Sequence, residues 1–165
     1  MRPFLTGAVA ALLVEVSLGL IIIGSGAAPV SADHPPSALE TRVLGMALRA
    51  SVARNVAGES EPPPPSEDDL TAGAEIYTEM CARCHGGAAD GANTLGASFY
   101  PPAPRLTERP STYSERELFW IIKHGIRNTA MPAWGSLLSD EDIHDVAAVV
   151  KRFDDLPRPD SAATP

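Results

Sequence analysis

The sequence predicts an all-α protein in which a small helical domain follows an N-terminal transmembrane helix and a proline-rich linker. Three observations carry this. An apolar run of twenty residues stands near the start, four consecutive prolines occupy 62–65, and three later segments repeat apolar residues at helical spacing. With 165 residues, 44% of them hydrophobic, the chain can bury one modest core. Its net charge is -8, and from residue 66 onward 16 acidic residues face 9 Lys and Arg. Such a surface repels phosphate backbones, so no nucleic acid partner is expected, and it favours a basic protein surface.

Residues 1–32 are the anchor or signal region. The run from Phe4 to Ile23 contains one charge, Glu15. As a helix rising about 1.5 Å per residue it spans roughly 30 Å, the hydrocarbon thickness of a bilayer. Arg2 and the amino group precede it and Asp33 is the first charge after it, so the remainder is expected outside the cytoplasmic membrane. The alternative is a signal sequence cleaved after "VSA" at 30–32, which leaves the rest soluble in the periplasm. Gly7, Ala11, Glu15 and Gly19 recur every four residues, a small-residue stripe on which a membrane partner helix can pack.

Residues 33–65 form a juxtamembrane segment and linker. A helix over 38–57 is expected, but its apolar residues (Leu39, Val43, Leu44, Met46, Leu48, Val52, Val56) wrap too far round to mark one face. Its three arginines suit anionic headgroups; a plain connector helix is the alternative. The "GESEPPPPSEDD" stretch then ends any helix, since prolines lack amide hydrogens and favour a semi-rigid extended spacer. The folded domain is placed at 66–158 and a disordered tail at 159–165.

Within that domain, "DDLTAGAEIYTEMCARCHG" reads as a helix with Leu70, Gly73, Tyr77 and Met80 on one face. Residues 115–124 turn Leu118, Ile121 and Ile122 inward; 140–153 do the same with Ile143, Val146, Ala147, Val150 and Phe153. Cys81 and Cys84 are the only cysteines. An exported chain permits a disulfide between them, a redox dithiol wants a strand ahead of the motif, and a zinc site needs more ligands than the sequence supplies. His85 completes C-x-x-C-H, the haem attachment pattern. Two thiols three residues apart on a helical turn can add across the two porphyrin vinyl groups, and the imidazole next to them then serves as an iron ligand. On the motif alone, a chance thiol pair stays open.

The segments "GAEIYTEMCARCHG" (73–86), "PPAPRL" (101–106), "ELFWIIKHGIRNTAMPAW" (117–134) and "LSDEDIHDVAAVVKRF" (138–153) together resemble the class I c-type cytochromes, and the whole chain is similar to their membrane-anchored bacterial forms. The resemblance implies a small helical fold around one haem c, joined covalently through Cys81 and Cys84, with His85 and Met131 as axial ligands. It implies that a loop proline carbonyl, Pro104 with Pro102 as the alternative, accepts the other ring hydrogen of His85, with Leu106 two residues on. Gly73 and Tyr77 take the positions where the first and last helices cross. Phe99, Tyr100, Trp120 and Trp134 are candidates to cover the porphyrin, and Trp134 or Arg105 to bond a propionate. His124 and His144 sit at helix flanks and His34 ahead of the spacer, which leaves Met131 favoured over them.

Histidine and methionine ligation fills the iron's coordination, so the function expected is electron transfer, not catalysis. The reading is a monohaem cytochrome c carrying single electrons between a donor and an acceptor redox protein, such as respiratory complexes, with the proline spacer giving reach. A haem subunit fixed to a membrane partner is the first alternative, and a peroxidase or gas sensor with Met131 off the iron the second.

Overall fold

The computed structural model describes residues 2–27, 30–31, 33–87, 94–109 and 111–153. These divide between Ala32 and Asp33 into two units. The tail expected over 159–165 lies outside the described residues, as does part of the Gly- and Ala-rich loop after the C-x-x-C-H motif.

The first unit is one helix, α1 (Arg2–Gly24). Its stretch Thr6–Gly24 is long and apolar enough to cross a membrane. Leu12, Leu13, Val14 and Ile21 are all exposed, so the helix leaves its apolar surface for another medium to cover.

The second unit is helical, with no strand among the described residues. It contains α2 (Ala38–Asn55), α3 (Glu67–Ile76), a π-helical turn (Tyr77–Cys81), α4 (Ala82–His85), α5 (Thr94–Ala97), α6 (Glu115–His124), a 3₁₀ turn (Trp134–Ser136) and α7 (Asp140–Arg152). Three helices begin in the same way. Ser66, Ser114 and Ser139 each accept the amide of the residue three further on, and Asp69, Glu117 and Asp142 reach back to the serine amides. These reciprocal bonds satisfy amides that the first turn leaves orphaned, at about 1 kcal/mol per cap.

The core lies where α3, α6 and α7 meet. Leu118, Ile121 and Ile122 on α6 are buried, as are Ile143, Val146, Ala147 and Val150 on α7, which matches the inward faces read from the sequence. Ala148 joins them and Phe153 is half-buried. Gly73 lets α3 lie directly on α7: a Cβ there would stand 2.5 Å from the Asp145 carbonyl carbon, so any larger residue forces the helices apart. Tyr77 follows one turn later, buried, with its ring edge-on to Phe153 at 4.9 Å.

The connector helix α2 is part of this unit. Val52 and Val56 are buried, α2 packs on α6, and Arg49 lies 5.3 Å over the Tyr113 ring while its guanidinium bonds the Thr112 hydroxyl at 3.3 Å. The start of the spacer is held as well: Arg116 donates to the Glu59 carbonyl, and its backbone amide to the Glu61 carboxylate at 3.3 Å.

Candidate functional site

The motif cysteines stand where the helix from Glu67 changes pitch. The π turn at Tyr77–Cys81 inserts extra backbone before α4, and Cys81, Cys84 and His85 come out half-buried along the next turn. The cysteines form no disulfide with each other. Burial, and secondarily the neighbouring Cys84, pushes the Cys81 thiol up to about 11, so it stays protonated in neutral solution.

His85 is fixed from two directions. Its Nδ1 stands 2.9 Å from the Pro104 carbonyl oxygen, and the Leu106 amide donates to the His85 carbonyl at 3.1 Å. A carbonyl can only accept, so Nδ1 carries the hydrogen and Nε2 keeps its lone pair. Burial lowers the His85 pKa, with the Pro104 hydrogen bond pulling weakly the other way, which also keeps the ring neutral. Between the two proline candidates, this geometry puts Pro104 on the ring. Directly after the histidine, Gly86 turns the chain at a φ of 82°, and its buried carbonyl accepts the Tyr77 hydroxyl at 2.7 Å. Its positive φ is what favours glycine there, since a Cβ would meet the Arg105 and Thr107 side chains only at ordinary contact distance, 3.6 and 3.7 Å.

Met131 is half-buried and packs against the core together with Trp134 and Leu106. Its loop is organised by Thr129, whose hydroxyl accepts the Met131 amide at 3.1 Å and donates to the Ile126 carbonyl at 2.7 Å. The Ile126 amide closes the loop onto the Met131 carbonyl at 3.1 Å. Gly125 ends α6 at a φ of 65° and touches the peptide that follows the methionine: a Cβ would sit 2.6 Å from the Pro132 carbonyl carbon and 2.7 Å from the Ala133 nitrogen. A glycine is therefore required there on two counts, backbone conformation and space.

Other sequence candidates fall elsewhere. His124 is exposed beside Trp120, their rings 4.9 Å apart, and His144 stacks on Phe119 at 4.0 Å. Tyr100 is 37% exposed, whereas Arg105 stays beside the site, its side chain against Gly86 and paired with Glu108 at 2.9 Å. Sequence reasoning missed Thr129, the Tyr77 hydroxyl and the steric role of Gly125. A threonine two residues ahead of the methionine is a turn signal that could have found the first; the other two are contacts that only the fold creates.

The residues present fit haem c. A neutral imidazole with its ring hydrogen already engaged is the donor that iron takes, and the two thiols lie on the turn just before it. The family described as cytochrome c oxidase, cbb3-type, subunit III matches residues 68–149. The chain is similar to cytochrome c6 of Synechococcus elongatus, 39% identical over 82 residues, which cover 50% of this chain and 87% of that protein. Cytochrome c6 of Bryopsis maxima is 37% identical over 86 residues, 50% of this chain and 89% of the relative. The cbb3-type cytochrome c oxidase subunit FixP of Bradyrhizobium sp. (strain ORS 278) is 37% identical over 84 residues, but they make up 27% of that protein. The chain belongs to the class I c-type cytochromes. It carries one covalent haem c and acts in electron transfer, with redox proteins as its partners.

Proposed function

We propose that this is an exported carrier held to the outer face of the cytoplasmic membrane by α1. Its haem domain, over residues 66–158, takes single electrons from one redox complex and gives them to another, and is not itself an enzyme. Cys81 and Cys84 would hold the haem as thioethers, and His85 and Met131 would supply the two protein ligands of its iron. When bound, the haem supplies a one-electron couple at iron. The protein's part is to fix the two ligands and to keep other molecules off the metal.

The observation that carries this reading is the 2.9 Å contact between His85 Nδ1 and the Pro104 oxygen, which orients the ring and raises its donor strength. The Met131 loop, ordered by Thr129 and Gly125, supports the opposite ligand. With both positions filled, nothing is left for a substrate or gas. The reduced protein is therefore expected to bind carbon monoxide slowly and weakly, and rapid stoichiometric binding would contradict the carrier role. The acid excess supports transient docking on basic partner surfaces, and electron transfer is expected to slow as ionic strength rises.

A second reading, a haem subunit fixed in a membrane oxidase, is favoured by the cbb3-type match and by the small-residue stripe at Gly7, Ala11, Glu15 and Gly19. Purification in mild detergent separates the two: a stoichiometric membrane partner supports the subunit, and the chain alone supports the carrier.

A further inference from the structure

We propose that the outward face of α2 rests on anionic lipid headgroups, holding the haem domain at the bilayer surface. This rests on the reading that α1 stays in the membrane.

The apolar residues of α2 wrap round the helix as a buried pair, an exposed stripe, and Leu44, which is 53% exposed away from that stripe. Val52 and Val56 are buried on the domain side. Leu39, Val43 and Met46 recur at i, i+4 and i+7 and are 72%, 48% and 58% exposed. At 100° per residue, Ala50 and Ala53 continue their stripe, within about 80° of arc, and the buried valines lie across the helix from it. Arg42 and Arg54, both exposed, border the stripe on either side.

Charge and position select a lipid surface as the occupant. Residues 38–55 carry three arginines against Glu40, a charge of +2 in a protein of -8, so an anionic surface attracts α2 although the protein as a whole is acidic. A second copy presents the same positive face and gains nothing from the match. The chain between Gly24 and Ala38 is thirteen residues, residues 25 to 37. Fully extended it reaches roughly 45 Å, so an anchored α1 keeps α2 continually near the headgroups. That effective concentration strengthens the contact of a short face, whose own affinity is large enough to be read on vesicles at high lipid concentration.

The test uses the haem-loaded full chain in nanodiscs of phosphatidylglycerol and phosphatidylcholine, with a spin label at Met46→Cys or, as the control, at exposed Ser51→Cys. With the motif cysteines held in thioethers, only the introduced residue takes the label. The label at 46 is expected to be several-fold more accessible to oxygen than to a water-soluble nickel chelate, and the one at 51 the reverse. Replacing Arg42 and Arg54 by glutamine is expected to weaken the contact, each arginine near an anionic surface contributing about fivefold. Equal access of the chelate to both labels overturns the proposal, and so does shielding of 46 from both reagents, which means that protein covers it. The anchor is tested separately by the mass of the native chain. If that chain begins at Asp33, the anchor reading fails while α2 remains intact, and cosedimentation of this mature form with phosphatidylglycerol vesicles decides the lipid face. Loss of binding in the Leu39→Glu, Met46→Glu variant with its haem spectrum unchanged supports the face; sedimentation no greater than with phosphatidylcholine vesicles overturns it.

Discussion

His85 ends a helix that is tied to distant parts of the chain, whereas Met131 sits in a loop whose hydrogen bonds run between residues 126 and 131. On the histidine side, Pro104 holds the ring, Leu106 holds the backbone and Tyr77 holds the next carbonyl. On the methionine side, Thr129 and Ile126 bond locally, and Gly125 and the Pro132–Ala133 peptide lock together by close fit. Long-range ties break only when the core opens, but a locally bonded loop can open by itself at a lower free energy. The histidine side should therefore report global stability, and the methionine side its own smaller one.

The largest effect is expected from Gly125→Ala, which forces a side chain into positive φ and into a backbone 2.6 Å away. A cost of about 3 kcal/mol confined to the loop should abolish the far-red methionine-to-iron charge-transfer band while circular dichroism keeps the helical signal. Loss of the helices at the same time would mean that the two sides are not separable. Next comes Tyr77→Phe, which leaves the buried Gly86 carbonyl without its partner at about 2 kcal/mol. Denaturant titrations followed by the far-red band and by dichroism should both move to lower midpoints. Thr129→Val removes two hydrogen bonds from a half-exposed loop, at about 1 kcal/mol, and here only the band should move.

The smallest effect concerns Asp145, which touches neither side of the site. Burial, and then Asp69, Glu141 and Asp142, raise its pKa above the ordinary 3.8. A carboxyl whose pKa is raised on folding favours its neutral form in the native state, so its charge costs stability above the unfolded pKa. Asp145→Asn is expected to raise Tm slightly at neutral pH, and the gain should vanish as pH falls below the unfolded value. An unchanged Tm at neutral pH would show that solvent screens those neighbours.

Much of the haem domain was legible in the sequence because its signals are local. The inward faces of α6 and α7 follow from apolar spacing, and C-x-x-C-H is contiguous. The serines at 66, 114 and 139, each followed three residues later by an acid, are capping boxes that can be read as easily as the helices they start. Periodicity was least informative for α2, since a helix with one face on α6 and another exposed shows no single stripe. The choice of Pro104 over Pro102 is a matter of which carbonyl reaches a ring 19 residues back, and three prolines within four positions look alike until the loop is folded. Gly125 reads only as a helix stop, for its contact lies beyond the turn.

The central claim is that Met131 completes the iron's coordination opposite His85, and the oxidised optical spectrum of wild type beside Met131→Ala tests it most directly. The far-red charge-transfer band should be present in wild type and absent in the variant, whose reduced form should then bind carbon monoxide readily. A wild-type spectrum without the band, or a variant that keeps it, would contradict the claim.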